Sequence, residues 1–176
     1  MSDHRIGPET ERLLHRASIP EDAEAFFKLN TDIEVMRYTA EPMLESVEAS
    51  LARIENYPDF ETVGYGRWSC VLKSTGEVIG FCGLKYLPDL DVVDVGYRLL
   101  REHWGRGYAT EASRASIAYG FDEIGLERIA GFVLPENAAS IHVLEKCGLQ
   151  ADGEFEEDGL RVLRFVIDRA GYDALR

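Results

Sequence analysis

EHWGRGYATEA, residues 102–112, sets two glycines around an arginine, then a tyrosine, then residues that favour a helix. A helix start leaves its first backbone N–H groups without intrahelical partners and carries partial positive charge, so a loop poor in bulk that feeds a helix suits an anion. Gly105 and Gly107 allow close backbone approach, and Ala109 and Thr110 are small enough to leave the first turn open. The P-loop pattern is absent, because no Lys-Ser or Lys-Thr follows the second glycine. The dinucleotide pattern GxGxxG/A fails at Thr110 and belongs after the first strand of a βαβ unit, which this stretch does not follow. On its residues alone, the stretch is either an anion cradle or a tight strand-to-helix turn.

The flanking chain has the size and composition of one soluble domain: 176 residues, 45% hydrophobic and 29% charged. Residues 1–9 are expected to form a flexible N-terminus and residues 10–176 a single domain. No window approaches a membrane span, and MSDHRIGPET lacks the basic start and apolar run of a signal peptide, so the expected location is the cytoplasm, with no membrane partner. The three cysteines, Cys70, Cys82 and Cys147, are far apart and show no metal-ligand spacing with the scattered histidines; they read as reduced thiols, and no metal is expected. A formal charge of −13 repels phosphate backbones and argues against a nucleic-acid partner. That charge serves solubility or attracts a cationic substrate such as an amine. Arg98, Arg101 and Arg106 nevertheless make the region of the quoted loop locally positive.

Hydrophobic periodicity places the loop within an alternating chain. ERLLHRAS reads as a strand, and Ser18–Glu21 as a capping box before a helix carrying Ala23, Phe26, Phe27 and Asn30. SVEASLARIENY reads as a second helix, with Val47, Leu51 and Ile54 on one face and Pro58 ending it. RWSCVLKSTGEVIGFCGLKYL gives two strands about a turn at Ser74–Glu77, and DVVDVGYRLL a third. After the loop come a helix with Tyr108, Ala112, Ala115 and Tyr119 on one stripe, the strand ERIAGFVL, the helix NAASIHVLEKCG closed by Gly148, and the strand RVLRFVID. The order predicts an α/β (α+β) fold: a mixed central β-sheet flanked by helices, with one parallel pair from the late β-α-β unit.

WGRGYA, Trp104–Ala109, resembles the Q/R-x-x-G-x-G/A signature of the GNAT superfamily of N-acetyltransferases, with Trp104 in place of the usual Gln or Arg. TERLLHRASIPEDAEAF, VMRY, GEVIGFCGL, DVGYRL, GRGYATEA and PENAASIHVLEKCGL look like successive segments of the Rim-type branch, which includes ribosomal-protein N-terminal acetyltransferases. The resemblance runs from about residue 10 to residue 169. It implies a GNAT fold and acetyl-CoA as co-substrate.

The resemblance also implies site residues. The pantetheine arm would lie along Tyr97–Leu100, with a backbone N–H near Leu99 aimed at the thioester carbonyl. The pyrophosphate would sit on the N–H groups of Gly105, Arg106, Gly107, Tyr108, Ala109 and Thr110. Arg101 or Arg106 either adds charge to the phosphates or is solvated. Asn137 matches the pantetheine-contacting asparagine and also fits a helix N-cap. Ser140 is the implied proton donor to the departing thiol. Asp94 is the candidate base acting through water, or else an ion-paired strand aspartate. Trp68, Tyr97 and the MRYTAEP loop either wall the acceptor pocket or belong to the core.

A free α-amino group, with a pKa of ~7.7–8.0, costs roughly 1 kcal/mol to neutralise at pH 7, against roughly 4–5 for a lysine-like amine near ~10.4. N-terminal acceptors therefore need less help from a base. The expected activity is acetyl transfer to a primary amine, a protein N-terminus or a small amine, by direct attack in a ternary complex. The alternative is a CoA-binding sensor that has lost catalysis. The resemblance leaves a homodimer open.

Overall fold

The computed structural model describes residues 4–176. Its frame is one eight-stranded sheet. The strands are β1 (Ile6–Glu9), β2 (Leu13–Arg16), β3 (Arg67–Leu72), β4 (Val78–Leu87), β5 (Val92–Leu99), β6 (Arg128–Val133), β7 (Gln150–Glu157) and β8 (Leu160–Asp168). They lie in the order β1-β2-β3-β4-β5-β6-β8-β7, and every neighbouring pair is antiparallel except β5 and β6. The single parallel pair is the one the βαβ order demands.

Helices cover both faces. On one side lie α1 (Ala23–Leu29), α2 (Ile33–Met36), α3 (Val47–Glu55) and α4 (Asp59–Thr62); α5 (Tyr108–Tyr119) and α6 (Ala138–Lys146) precede and follow β6, and α7 (Arg169–Asp173) ends the chain. Alternation along β4 shows how one strand serves two layers. Cys82 faces α5, its Sγ 3.8 and 3.5 Å from the hydroxyls of Ser113 and Ser116, while Phe81 turns to α1 and stacks on Phe26 at 6.1 Å. The larger core joins Leu84, Val95, Ile117, Phe121, Ile129 and Phe165. α6 lies so close to β6 that a Cβ on Gly131 would come within 2.6 Å of the Leu144 side chain. Among the described residues, no helix is long and apolar enough to cross a membrane.

Several expectations need correction. Residues 6–9, expected to be flexible, form the edge strand β1; Pro8 is tolerated there because an edge has no ladder partner on one side. Residues 1–3 of that expected segment lie outside the described residues. β7 was not foreseen, since QADGEFEE is largely exposed and broken by Gly153. Its signal was the Asp158-Gly159 pair, at φ 51° and 77°, a two-residue turn that closes Glu157 against Leu160. The single-turn helices α2, α4 and α7 are too short to show periodicity.

The cap of the first helical segment sits one residue later than Ser18–Glu21. The first turn opens at Pro20 after Ile19, and the Asp22 carboxylate reaches back to the Ile19 N–H at 3.0 Å. Asp22 is 3% exposed and also accepts two bonds from Arg16, at 2.7 and 2.9 Å, and one from Ser69 Oγ at 2.9 Å. It ties β2, the first helical turn and β3 together.

Burial pushes the Asp22 carboxyl up, but its bonds from Arg16, Ile19 and Ser69 prevail and hold it below the usual carboxylate range. A lowered folded-state pKa gives stability that is present above the unfolded value and lost as pH falls from there through the folded value. Asp22→Ala is therefore expected to cost about 2–4 kcal/mol in urea unfolding at pH 7. Its unfolding midpoint should also fall less steeply than that of the wild type between about pH 5 and 3.

Candidate active site

β5 and β6 are paired at Asp94↔Ala130, and beyond that point a cleft of about 710 Å³ opens between β5, the loop into α5, and α6. β5 contributes Asp94, Tyr97 and Leu99 to its wall. The loop and first turn contribute Gly105, Gly107, Tyr108, Ala109 and Thr110, and α6 contributes Asn137 and Ser140. Two anticipated residues do not line it. Leu100 donates its N–H to Ile79 O and is buried with Leu29 and Val35, because strand alternation turns it to the α1 side. Arg106 lies exposed at the loop's outer side, with its carbonyl turned to Arg12.

The loop has the backbone its glycines permit. Gly105 has φ 69° and Gly107 φ 81°, both in the left-handed region that a side chain disfavours. Gly107 is the N-cap of α5 and offers no side-chain acceptor, so the first-turn N–H groups face the cleft without an intrahelical partner. Three contacts fix the loop. Arg12 Nη1 donates to Arg106 O at 2.9 Å, and its guanidinium lies 4.3 Å from the centre of the Tyr108 ring. Glu111, in the first turn, accepts from Thr10 Oγ1 at 2.6 Å, Arg12 N at 3.0 Å and Arg12 Nε at 2.6 Å. Burial raises the Glu111 carboxyl, but these bonds outweigh it and keep it below its ordinary range. Its negative charge is thus taken up by Arg12 instead of facing an incoming anion. Trp104 Nε1 donates to Leu99 O at 2.8 Å, closing the turn that leaves β5; this is what the indole does at the position usually held by Gln or Arg.

The polar groups deeper in the cleft form one connected set. Tyr97 Oη lies 3.0 Å from Ser140 Oγ, and Ser140 N donates to Asn137 Oδ1 at 3.2 Å. Asn137 is therefore the N-cap of α6 while its side-chain NH₂ stays available to a ligand. Burial pushes the Tyr97 phenol up, against the opposing bond from Ser140, so both hydroxyls are neutral donors near pH 7. Asp94 is buried and ion-paired to Arg67. Burial pushes its carboxyl up to about 6 even though Arg67 opposes the rise. Cys147, pushed up to about 12 by burial, is no thiolate nucleophile.

Arg67, Phe81 and Arg98 stand at the inner end of the cleft; the sequence reading passed over Arg67 and Phe81 and took Arg98 only as part of the positive charge around the loop. They also line a second cavity of about 620 Å³ beneath α1 and α3, so the two spaces meet there. The clue was an arginine within each of two core strands, Arg67 in β3 and Arg98 in β5. Tyr38, Thr39 and Glu41 of the MRYTAEP loop reach the cleft, but Trp68 does not. Trp68 is fully buried on the α5 side, 5.3 Å from Tyr119, with Nε1 donating to His4 O. The fold also brings ligand atoms of Glu77, Glu102 and His103 within 4.8 Å of one another, with the Lys28 ammonium on Glu102.

Residues 12–150 match the family model for the acetyltransferase (GNAT) domain. An uncharacterized N-acetyltransferase of Bacillus subtilis (strain 168), YoaA, is 35% identical over 147 residues, covering 82% of this chain and 83% of that protein. A GNAT-family acetyltransferase structure from Bacillus anthracis superposes with a TM-score of 0.79 at 26% identity, covering 92% of this chain and 97% of the other. The spermidine N-acetyltransferase of Vibrio cholerae, solved with CoA and spermine, shares the fold with a TM-score of 0.77 at 24% identity over 93% and 99% of the two chains. The open first turn of α5, the cleft beside β5 and this shared ancestry have one explanation: the chain belongs to the GNAT family of acetyltransferases, enzymes that draw their acetyl group from acetyl-CoA.

Proposed function

We propose that the protein acetylates a primary amine by direct attack in a ternary complex, in the manner of the Rim-type branch. The acceptor is a peptide N-terminus or a small amine. The observation that carries this reading is the Tyr97–Ser140 hydrogen bond, which puts a neutral proton donor in the cleft below the uncapped start of α5. It also argues against a sensor that has lost its proton path.

When bound, acetyl-CoA supplies the acetyl group as an activated thioester. Gly105, Gly107 and the first-turn amides of Tyr108, Ala109 and Thr110 hold the diphosphate, where fixed dipoles act without any reorganisation. Tyr97 and Leu99 line the path of the pantetheine arm, with the side-chain NH₂ of Asn137 as a further donor. The Leu99 N–H polarises the thioester carbonyl. The reaction forms an N–C bond and breaks a C–S bond, so the amine loses a proton and the sulfur gains one. Ser140, relayed by Tyr97, gives the second proton; Asp94 accepts the first through water. An Asp94 carboxyl titrating at about 6 is ionised at neutral pH and closer in basicity to an amine than an ordinary carboxylate.

Thiol release with a panel of amines tests the reading directly. Ser140→Ala is expected to lower kcat by about 10- to 100-fold. The KM for acetyl-CoA should stay within about threefold, and Tyr97→Phe should combine with Ser140→Ala less than additively. The wild-type rate is expected to rise as pH passes through about 6, because only ionised Asp94 accepts a proton. Asp94→Asn should lose that limb; a profile unchanged by the substitution removes Asp94 from the base role. Arg12→Gln, which frees the loop backbone, is expected to raise the KM for acetyl-CoA by roughly fivefold at nearly constant kcat.

A further inference from the structure

The second cavity is charged in the opposite sense to the whole chain. Arg53, Arg67, Lys85 and Arg98 line it, and among the described residues Glu41 is its one acidic lining residue. Asp94, across the junction, is paired with Arg67. With these two acids set against four cations, two positive charges remain unmatched, inside a protein whose formal charge is −13. Arg53 and Lys85 carry their charge at the exposed side of the cavity, so the positive charge held out of water is that of Arg67 and Arg98.

The two innermost cations, Arg67 and Arg98, are the most buried of the four. The Arg98 side chain is 11% exposed, and its Nη1 is bound to Asn30 Oδ1, a neutral acceptor. Its ionic partner, Glu41, lies 3.3 Å from Nη2, is about half exposed, and is shared with Arg53 at 3.7 Å. Burial lowers the Arg98 guanidinium despite Glu41, and the charges of Arg67 and Arg53 add to that effect. Arg67 keeps a buried Nε with no hydrogen-bond partner. Both guanidinium groups lie against the Phe81 ring, at 5.8 and 5.4 Å from its centre. Phe81 is where the cavity opens into the cleft. An acceptor entering from this side therefore meets two arginine forks before its amine reaches the thioester.

We infer that the acceptor is a small amine that also carries a carboxylate: Arg67 and Arg98 hold the anion on the Phe81 ring, and the amine points past them into the cleft. Fork-shaped guanidinium donors match a planar carboxylate, and the flat ring beneath them fits the acceptor's apolar stem. A polyamine would instead bring two or more ammonium groups against four lining cations. The inference rests on the acetyl-transfer reading above and narrows its acceptor class from any primary amine to amino-acid-like compounds.

The experiment measures thiol release from acetyl-CoA with a set of amino acids, the carboxamide of each, and 1,4-diaminobutane. The free acids are expected to exceed their own amides in kcat/KM by about 10- to 100-fold, as for loss of a charged hydrogen-bonded contact, with the diamine poorest. Arg98→Gln should erase that preference by weakening the acids while leaving the amides within about twofold. Arg53→Gln, at the exposed rim, should reduce the preference only slightly and covers the case in which the buried substitution fails to fold. A dicarboxylate without an amine, succinate, should compete with the amine and not with acetyl-CoA. Amides or diamine used as well as the acids, or Arg98→Gln lowering acids and amides alike, would overturn the inference and leave acetyl transfer standing. CoA binding without acetylation of any amine would overturn acetyl transfer itself, and this inference with it.

Discussion

One parallel pairing, Asp94 to Ala130, governs this molecule. Antiparallel neighbours run on either side of it, each strand fully engaged, but β5 and β6 come together at one end and leave a gap at the other. A gap in a sheet leaves strand-edge groups without partners, which is unfavourable in a sealed interior and useful where a ligand completes the sheet. The helix that must connect two parallel strands then begins at the mouth of that gap. An open strand edge and an uncapped helix start are therefore brought together by topology. The paired hydroxyls of the cleft arrive by the same logic, Tyr97 from the free length of β5 and Ser140 from the first turn after β6.

What could be read in the sequence was whatever rests on local backbone demands. Gly105 and Gly107 announce the loop because few other residues accept their dihedrals, and the β-α-β order after it requires the parallel pair. Asn137 was legible through helix-start chemistry, and Ser140 only through the resemblance. Leu100 was misplaced because a resemblance over a strand says which segment borders the ligand but not on which residue alternation stops. Trp68 was ambiguous for the same reason: aromatic strand residues look alike whether they face a pocket or a core. Of the second cavity, the sequence offered only the MRYTAEP loop, through Glu41. Phe81, Arg67 and Arg98 come from three strands, and Glu41 and Arg53 from the segments packed over them, so nothing in their spacing joins them.

The electrostatics divide along the same lines. Total charge was a poor guide, because an acidic exterior surrounds a cavity lined by arginine and lysine. The loop follows a third pattern: the helix start beside it carries positive main-chain dipoles, and side chains near it pair off, Glu111 with Arg12 and Glu102 with Lys28. Charged side chains line both spaces, and Glu41, Arg67 and Arg98 are common to them. A carboxylate titrating at about 6 sits at the boundary between these two zones, where the Arg67 guanidinium limits how far burial can raise it.

The two tryptophans occupy opposite extremes, Trp68 at 0% exposure in the core and Trp104 at 46% on the cleft loop, its ring nitrogen tied to the last carbonyl of β5. Their emission differs accordingly: one indole is shielded from collisional quenchers, while the other is open to solvent on the loop that borders the cleft. The chain so carries an intrinsic optical reporter of its own loop, with an internal reference beside it.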